Sequence, residues 1–223
     1  MRLIIVFSLL FFAPLFAQQK DSLDGAVYYV GDHELLLMPT AYTMEKGGTY
    51  FEDYEVVFIN ITHAIMPGTH ISFFSLFPIT TDFVESFTLG IKQNLYSSPS
   101  FSGAAWASYT PKGNGLTLGG VSSFGERSRS FHLAIGGFKD AAESSPFELI
   151  YMAGFRYDLS RKFILMMEYT NLETGFEENF GGIFSFGIRF RGNDISWDIA
   201  AIRPLDDTGD LLFIPLIKAI FKF

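Results

Sequence analysis

Residues 211–223 read Leu-Leu-Phe-Ile-Pro-Leu-Ile-Lys-Ala-Ile-Phe-Lys-Phe. From Ile217 onward the odd positions are Ile217, Ala219, Phe221 and Phe223, while the even ones include Lys218 and Lys222. A period of two describes a β-strand with one oily flank and one charged flank. The fold turns on which flank meets the protein's interior.

The same alternation recurs upstream. Residues 86–95 set Phe87, Leu89 and Ile91 against Thr88, Gly90 and Lys92. Residues 162–170 set Phe163, Leu165, Met167 and Tyr169 against Lys162, Met166 and Glu168. Residues 180–190 set Phe184, Phe186, Ile188 and Phe190 against Ser185, Gly187 and Arg189. Turn chemistry such as Pro67-Gly68 and Pro111 to Gly115 separates such runs. The pattern predicts about twelve strands. They fall at 34–43, 50–64, 70–77, 86–95, 101–109, 116–124, 130–138, 147–157, 162–170, 180–190, 195–203 and the closing stretch.

An alternating strand suits a soluble sandwich as well as a membrane barrel. Three features favour the barrel with its oily flank outward. The oily positions repeat large Phe, Leu, Ile and Tyr, whereas the opposite flank holds Gly, Ser, Ala and Thr with scattered charges, as a lumen tolerates. Longer connections (78–85, 139–146, 171–179, 204–210) alternate with shorter ones (66–69, 125–129, 158–161, 191–194). Tyr109, Phe124, Tyr157, Tyr169 and Phe190 sit near strand ends, where interface girdles form. The expected fold is all-β, a single antiparallel up-and-down transmembrane β-barrel of about twelve strands, or ten if the first pair lies outside the wall.

Residues 1–17 carry Arg2, an apolar run from Leu3 to Phe16 and the small Ala17, the three-part layout of a secretory signal. The run is shorter than the ~20 residues a spanning helix needs. Residues 18–33 are polar, with Asp21, Asp24 and Asp32, and read as a periplasmic lead tucked towards the barrel mouth. The barrel is then expected over 34–223. A net charge of −8 argues against a nucleic-acid partner. The absence of Cys excludes a disulfide frame, thiolate metal sites and a lipid-modified cysteine anchor.

With its signal, alternating strands and terminal Phe223, the chain resembles the outer-membrane β-barrel proteins of Gram-negative-type bacteria. The resemblance implies a lipid bilayer around the barrel, both termini in the periplasm, and a last strand read by the barrel-assembly machinery. Ile217, Phe221 and Phe223 match the alternate hydrophobic positions of that signal, and a glycine often seen within it is missing here.

Sites of chemistry are sparse. No phosphate loop, dinucleotide fingerprint or zinc-protease motif is present, so no cofactor or metal is expected. His33, His63, His70 and His132 are scattered. Ser122, Ser123, His132 and Asp198 are the nearest approach to a hydrolase constellation, and small polar lumen residues are the plainer reading. Expected outer loops gather acid, including Glu45, Asp82, Glu85, Asp140, Glu143, Glu173, Glu177, Glu178, Asp206, Asp207 and Asp210.

The inward flank predicts a lumen charge network of Lys92, Glu148, Arg156, Lys162, Glu168, Arg189, Asp198 and Lys218. It is expected to be basic towards the periplasmic turns and acidic towards the loops, with Arg189, Asp198 and Lys218 paired across strands. Phe74, Leu76, Ile150, Met152, Ile164, Met166, Ile183, Ile202, Ile214 and Leu216 share that flank and narrow the lumen. Three functions remain open: a non-enzymatic barrel giving a narrow passive pore or uptake path for a small or apolar solute, a structural or adhesive barrel with a filled lumen, and a rim-located hydrolase.

Overall fold

A computed structural model describes residues 29–76, 87–140, 147–171, 181–205 and 213–223. The signal, most of the lead and most of the acidic loop residues lie outside the described residues. The strands are β1 (Thr49–Tyr54), β2 (Phe58–Met66), β3 (Thr69–Leu76), β4 (Thr88–Ser97), β5 (Phe101–Thr110), β6 (Gly115–Glu126), β7 (Arg129–Asp140), β8 (Glu148–Asp158), β9 (Phe163–Thr170), β10 (Ile183–Arg191), β11 (Ile195–Pro204) and β12 (Ile214–Lys222). Each pairs antiparallel with its sequence neighbours, and β1 pairs β12 to close the barrel. Closure leaves no unpaired edge among the described strands, which a hydrocarbon surrounding would penalise.

Register fixes the two flanks. Phe221, Ala219 and Ile217 point outward with Phe51, Trp197 and Ile199, while Lys218 faces Asp198 and Tyr54 on the inside. Lys218 is fully buried, whereas Ile217 is half exposed and Phe223 is 79% exposed. The outward flank of every long strand carries exposed apolar side chains, among them Ile135, Leu149 and Ile199. Tyr109 and Tyr169 lie at one rim of this belt, and Phe124, Tyr157 and Phe190 at the other. A belt of this extent is the surface a hydrocarbon layer requires, and in water it would drive association.

One end of the barrel carries most of the tight connections, such as Arg127-Ser128 between β6 and β7, together with Phe223 and the start of β1; the short β1–β2 connection lies at the other end. The other end carries the longer connections, including those that follow β3, β7, β9 and β11. We call these the turn end and the loop end.

The first expected strand is corrected. Residues 34–43 are not in the wall; they lie inside the barrel. The count stays at twelve because 50–64, expected as one strand, is two. Glu55 and Val56 take φ of +56° and +60°, and Val57 N–H donates to the Tyr54 carbonyl, so a tight turn reverses the chain there. Two consecutive positive φ values make the mirror-image turn that matches strand twist, normally signalled by Asn-Gly. A β-branched Val at positive φ is disfavoured, so local preference hid the turn. One local and one tertiary contact hold it: Val56 N–H donates to Asp53 Oδ1 at 2.8 Å, and Glu55 N–H to the Ile217 carbonyl at 3.0 Å. The shift also moves Glu45 from an expected loop to the turn end, where it pairs with Lys222.

The outward assignment is testable. Arginine at Ile199, near mid-strand on the belt, should cost about 2–4 kcal/mol, read as a lowered urea midpoint for the heat-modifiable folded form. Arginine at Leu205, beyond the end of β11, should cost far less.

Candidate functional site: a hairpin held inside the barrel

The lumen is occupied by the chain's own residues 30–44, most of them buried. Leu35 N–H donates to the Met38 carbonyl at 2.9 Å, and Thr40 N–H to the His33 carbonyl at 3.1 Å. The segment therefore enters from the turn end, reverses around Leu36 and Leu37, and returns to β1. Its apolar side chains drive the seating. Leu35, Leu36 and Met38 pack against Ala104, Val121, Ala134, Ile164, Met166, Ala200 and Leu216. Val30 and Met44 pack nearer the turn end with Tyr50, Ala64 and Ile220. Gly154 makes the room: a Cβ there would overlap Leu35 Cδ1 and lie 2.9 Å from Met38 Sδ.

A segment so buried must find partners for its backbone. The wall supplies them through side chains. Glu168 Oε2 accepts the N–H groups of Leu36 at 3.1 Å and Met38 at 3.0 Å, and Oε1 accepts that of Leu37 at 3.0 Å. Lys92 Nζ donates to the carbonyls of His33 at 2.7 Å and Thr40 at 2.9 Å. Asn94 donates to the Ala41 carbonyl at 2.9 Å.

Arg189 and Lys218 do most. Arg189 Nε and NH2 grip both oxygens of Asp198 at 2.7 and 2.8 Å. The same guanidinium donates to the carbonyls of Gly31, Glu34 and Leu35. Lys218 Nζ reaches Asp198 Oδ2 at 3.4 Å, Glu34 Oε1 at 2.6 Å and the carbonyls of Leu35 and Leu36 at 3.1 and 2.7 Å. Nearer the turn end, Arg156 NH1 pairs with Asp32 at 2.6 Å and its Nε with Asp158 at 3.0 Å, while Arg191 NH1 pairs with Asp158 at 3.1 Å. These charges are buried, and each has an opposite charge or several carbonyls beside it, the condition for tolerating burial.

Lys92, Arg156, Glu168, Arg189, Asp198 and Lys218 thus converge on the hairpin. Two expected members do not. Lys162 is exposed in the turn before β9, because that strand begins one residue later. Glu148 faces inward but is exposed at the loop end, where β8 starts. Alternation alone overlooked Asp32, Glu34, Glu52, Asp158 and Arg191. The available signal was Asp32-His33-Glu34, charged residues set directly before the apolar run Leu35 to Met38.

The hydrolase constellation does not assemble. Ser122 points outward, and Asp198 belongs to Arg189 and Lys218. His132 Nδ1 meets Ser123 Oγ at 2.7 Å and its Nε2 meets Ser130 Oγ at 2.9 Å, so among the described residues no carboxylate orients it. Ser123 Oγ instead accepts the Ala41 N–H at 2.9 Å. The pair serves as another hairpin anchor.

Above the hairpin, towards the loop end, the described residues line two spaces. One space of about 720 Å³ is lined by Leu37, Tyr54, Phe58, Phe74, Ile202 and Leu216 with Asn60, Ser72 and Ser108 among others. Another of about 600 Å³ is lined by Pro39, Trp106, Phe138, Glu148, Ile150 and Met152 among others. Leu37 and Pro39, at the hairpin tip, form part of their floors.

No family model and no curated protein matches the chain. Solved structures do. The KdgM porin, determined in complex with disordered oligogalacturonate, superposes with a TM-score of 0.55 at 8% identity, over 79% of this chain and 98% of that one. A Rh. blastica porin mutant superposes with a TM-score of 0.42 at 10% identity, over 74% of this chain. This chain spans 55% of the length of that porin. With the strand pairing described above, the KdgM superposition defines the fold as a closed antiparallel β-barrel. At such identities the likeness is one of fold.

Replacing Asp198 by Asn removes the shared counter-charge of Arg189 and Lys218 and should cost about 3–5 kcal/mol, the usual penalty for breaking a buried pair. Lys162→Ala should stay within about 0.5 kcal/mol. Urea titration followed by heat-modifiable gel mobility measures both, and equal stability of the two variants would show that the network does not hold the barrel.

Proposed function

We propose that the protein is an outer-membrane barrel, with both termini in the periplasm, that acts as a narrow passive pore restricted by its own N-terminal hairpin. The observation that carries this reading is the hairpin seated across the lumen beneath open space at the loop end. The apolar outer belt supports residence in a bilayer. The grouping of most tight turns, Phe223 and the start of β1 at one end supports a periplasmic turn end. The porin-type fold supports passage of small solutes, and the apolar lining below the loops favours a small or weakly polar one. The chemistry of the lumen supports a non-enzymatic role, since Ser123 and His132 are engaged as hairpin anchors. Insertion by the barrel-assembly machinery through Ile217, Phe221 and Phe223 is part of the same proposal.

Conductance in planar bilayers tests it. The wild-type barrel should give small unitary steps. Glu168→Ala frees the three backbone N–H groups at the hairpin tip and should raise mean conductance several-fold by loosening the restriction. Silence from both proteins, each verified as folded by heat-modifiable mobility, would favour a structural barrel with a filled lumen instead.

A further inference from the structure

We propose that His33, Glu34 and Glu52 form a site for a divalent transition-metal ion such as Zn²⁺, which clamps the hairpin to β1. The proposal stands whether or not the barrel conducts. Two of the residues come from the hairpin and one from the wall, so the site exists only when the hairpin is seated. One ligand atom from each residue lies within 4.8 Å of the other two. A cavity of about 160 Å³ beside the first two is lined by His33, Glu34, Asn60, His70 and Lys92 among others.

The bonding around Glu52 is lopsided. Its Oε2 accepts from Asn60 Nδ2 at 2.6 Å and from the Tyr54 hydroxyl at 3.2 Å. Its Oε1 is fully buried and has no hydrogen-bond donor among the described residues. His33 Nε2 lies 2.8 Å from that oxygen, a close ion-pair contact whose angle is poor for a hydrogen bond. His33 Nδ1 and His70 Nδ1 are likewise buried without partners among the described residues, and the two rings meet edge to face with centroids 5.6 Å apart.

An imidazolium–carboxylate pair at 2.8 Å is the simpler account, but it would leave the buried Nδ1–H of His33 without an acceptor among the described residues. A cation instead takes up the unused lone pairs of Glu52 Oε1 and a His33 nitrogen together. One imidazole and two carboxylates suit zinc or a neighbouring first-row ion, and their two negative charges balance it. His70 stands near enough to shape the site from the wall.

The neighbouring cations are accommodated. Lys218 holds Glu34 Oε1, but it keeps Asp198 and the carbonyls of Leu35 and Leu36 if Glu34 turns to the ion. Lys92 is directed to the His33 and Thr40 carbonyls. The Tyr54 hydroxyl touches both carboxylates and steadies them.

The test uses full-length barrel, stripped with a chelator and titrated in detergent with Zn²⁺ alone. One ion per chain is expected. Co²⁺ in its place should give the visible ligand-field bands of a nitrogen-containing site in the wild-type protein. His33→Ala and Glu52→Gln should each weaken Zn²⁺ binding at least tenfold. His63→Ala should not, because His63 lies on the outward flank beside Thr49. Absence of stoichiometric Zn²⁺, or binding that survives both substitutions, would overturn the proposal, the latter placing the ion on surface carboxylates. If His33→Ala also unseats the hairpin, the wild-type Co²⁺ spectrum decides alone: bands of purely oxygen ligation refute the site.

Discussion

The structure depends on one constraint: a peptide segment inside a barrel has no neighbouring strand to complete its backbone hydrogen bonds. Side chains from the wall replace that strand here. Glu168 takes N–H groups, Lys92, Arg189 and Lys218 give to carbonyls, and Asp198 balances the two cations that do most of this. Replacing such buried charges with oil would remove the desolvation cost, but it would also leave the hairpin's amides unpaired. Charge in this lumen is therefore tied to the hairpin it surrounds.

The barrel wall and the hairpin impose opposite demands on the same strands. Outward positions carry most of the large apolar side chains, such as Ile135, Leu149 and Ile199, with small residues such as Gly103 and Ala107 between them. Inward positions must leave space, so small residues such as Gly154 and Ala134 face the hairpin, with long polar side chains where its backbone passes. This explains why the inner flank reads as small residues with isolated charges. Among the described residues it also separates two regions of the lumen, one packed towards the turns and one with larger spaces towards the loops.

The alternation of residue types was enough to read the twelve-strand antiparallel barrel and its oily exterior, because a one-residue shift in register would bury every charge in the belt. It was enough to place Arg189, Asp198 and Lys218 on one face. It failed at residues 34–64. Leu35 to Met38 reads like a strand because a plug inside a barrel and a strand in its wall are both apolar. The reversal at Glu55-Val56 has no turn signature, since contacts with Asp53 and Ile217 impose it.

What the chain's order of residues determined by itself was periodicity: the strand class, the face each side chain occupies, and the outward aspect of Ile217, Phe221 and Phe223. These follow from local geometry, which repeats every two residues. What only the tertiary structure decided was partnership across the lumen. Asp32 meets Arg156, Glu34 meets Lys218 and His33 meets Glu52 because a closed barrel folds its own N-terminal segment inward. Those distances are set by closure and seating, and no spacing along the chain encodes them.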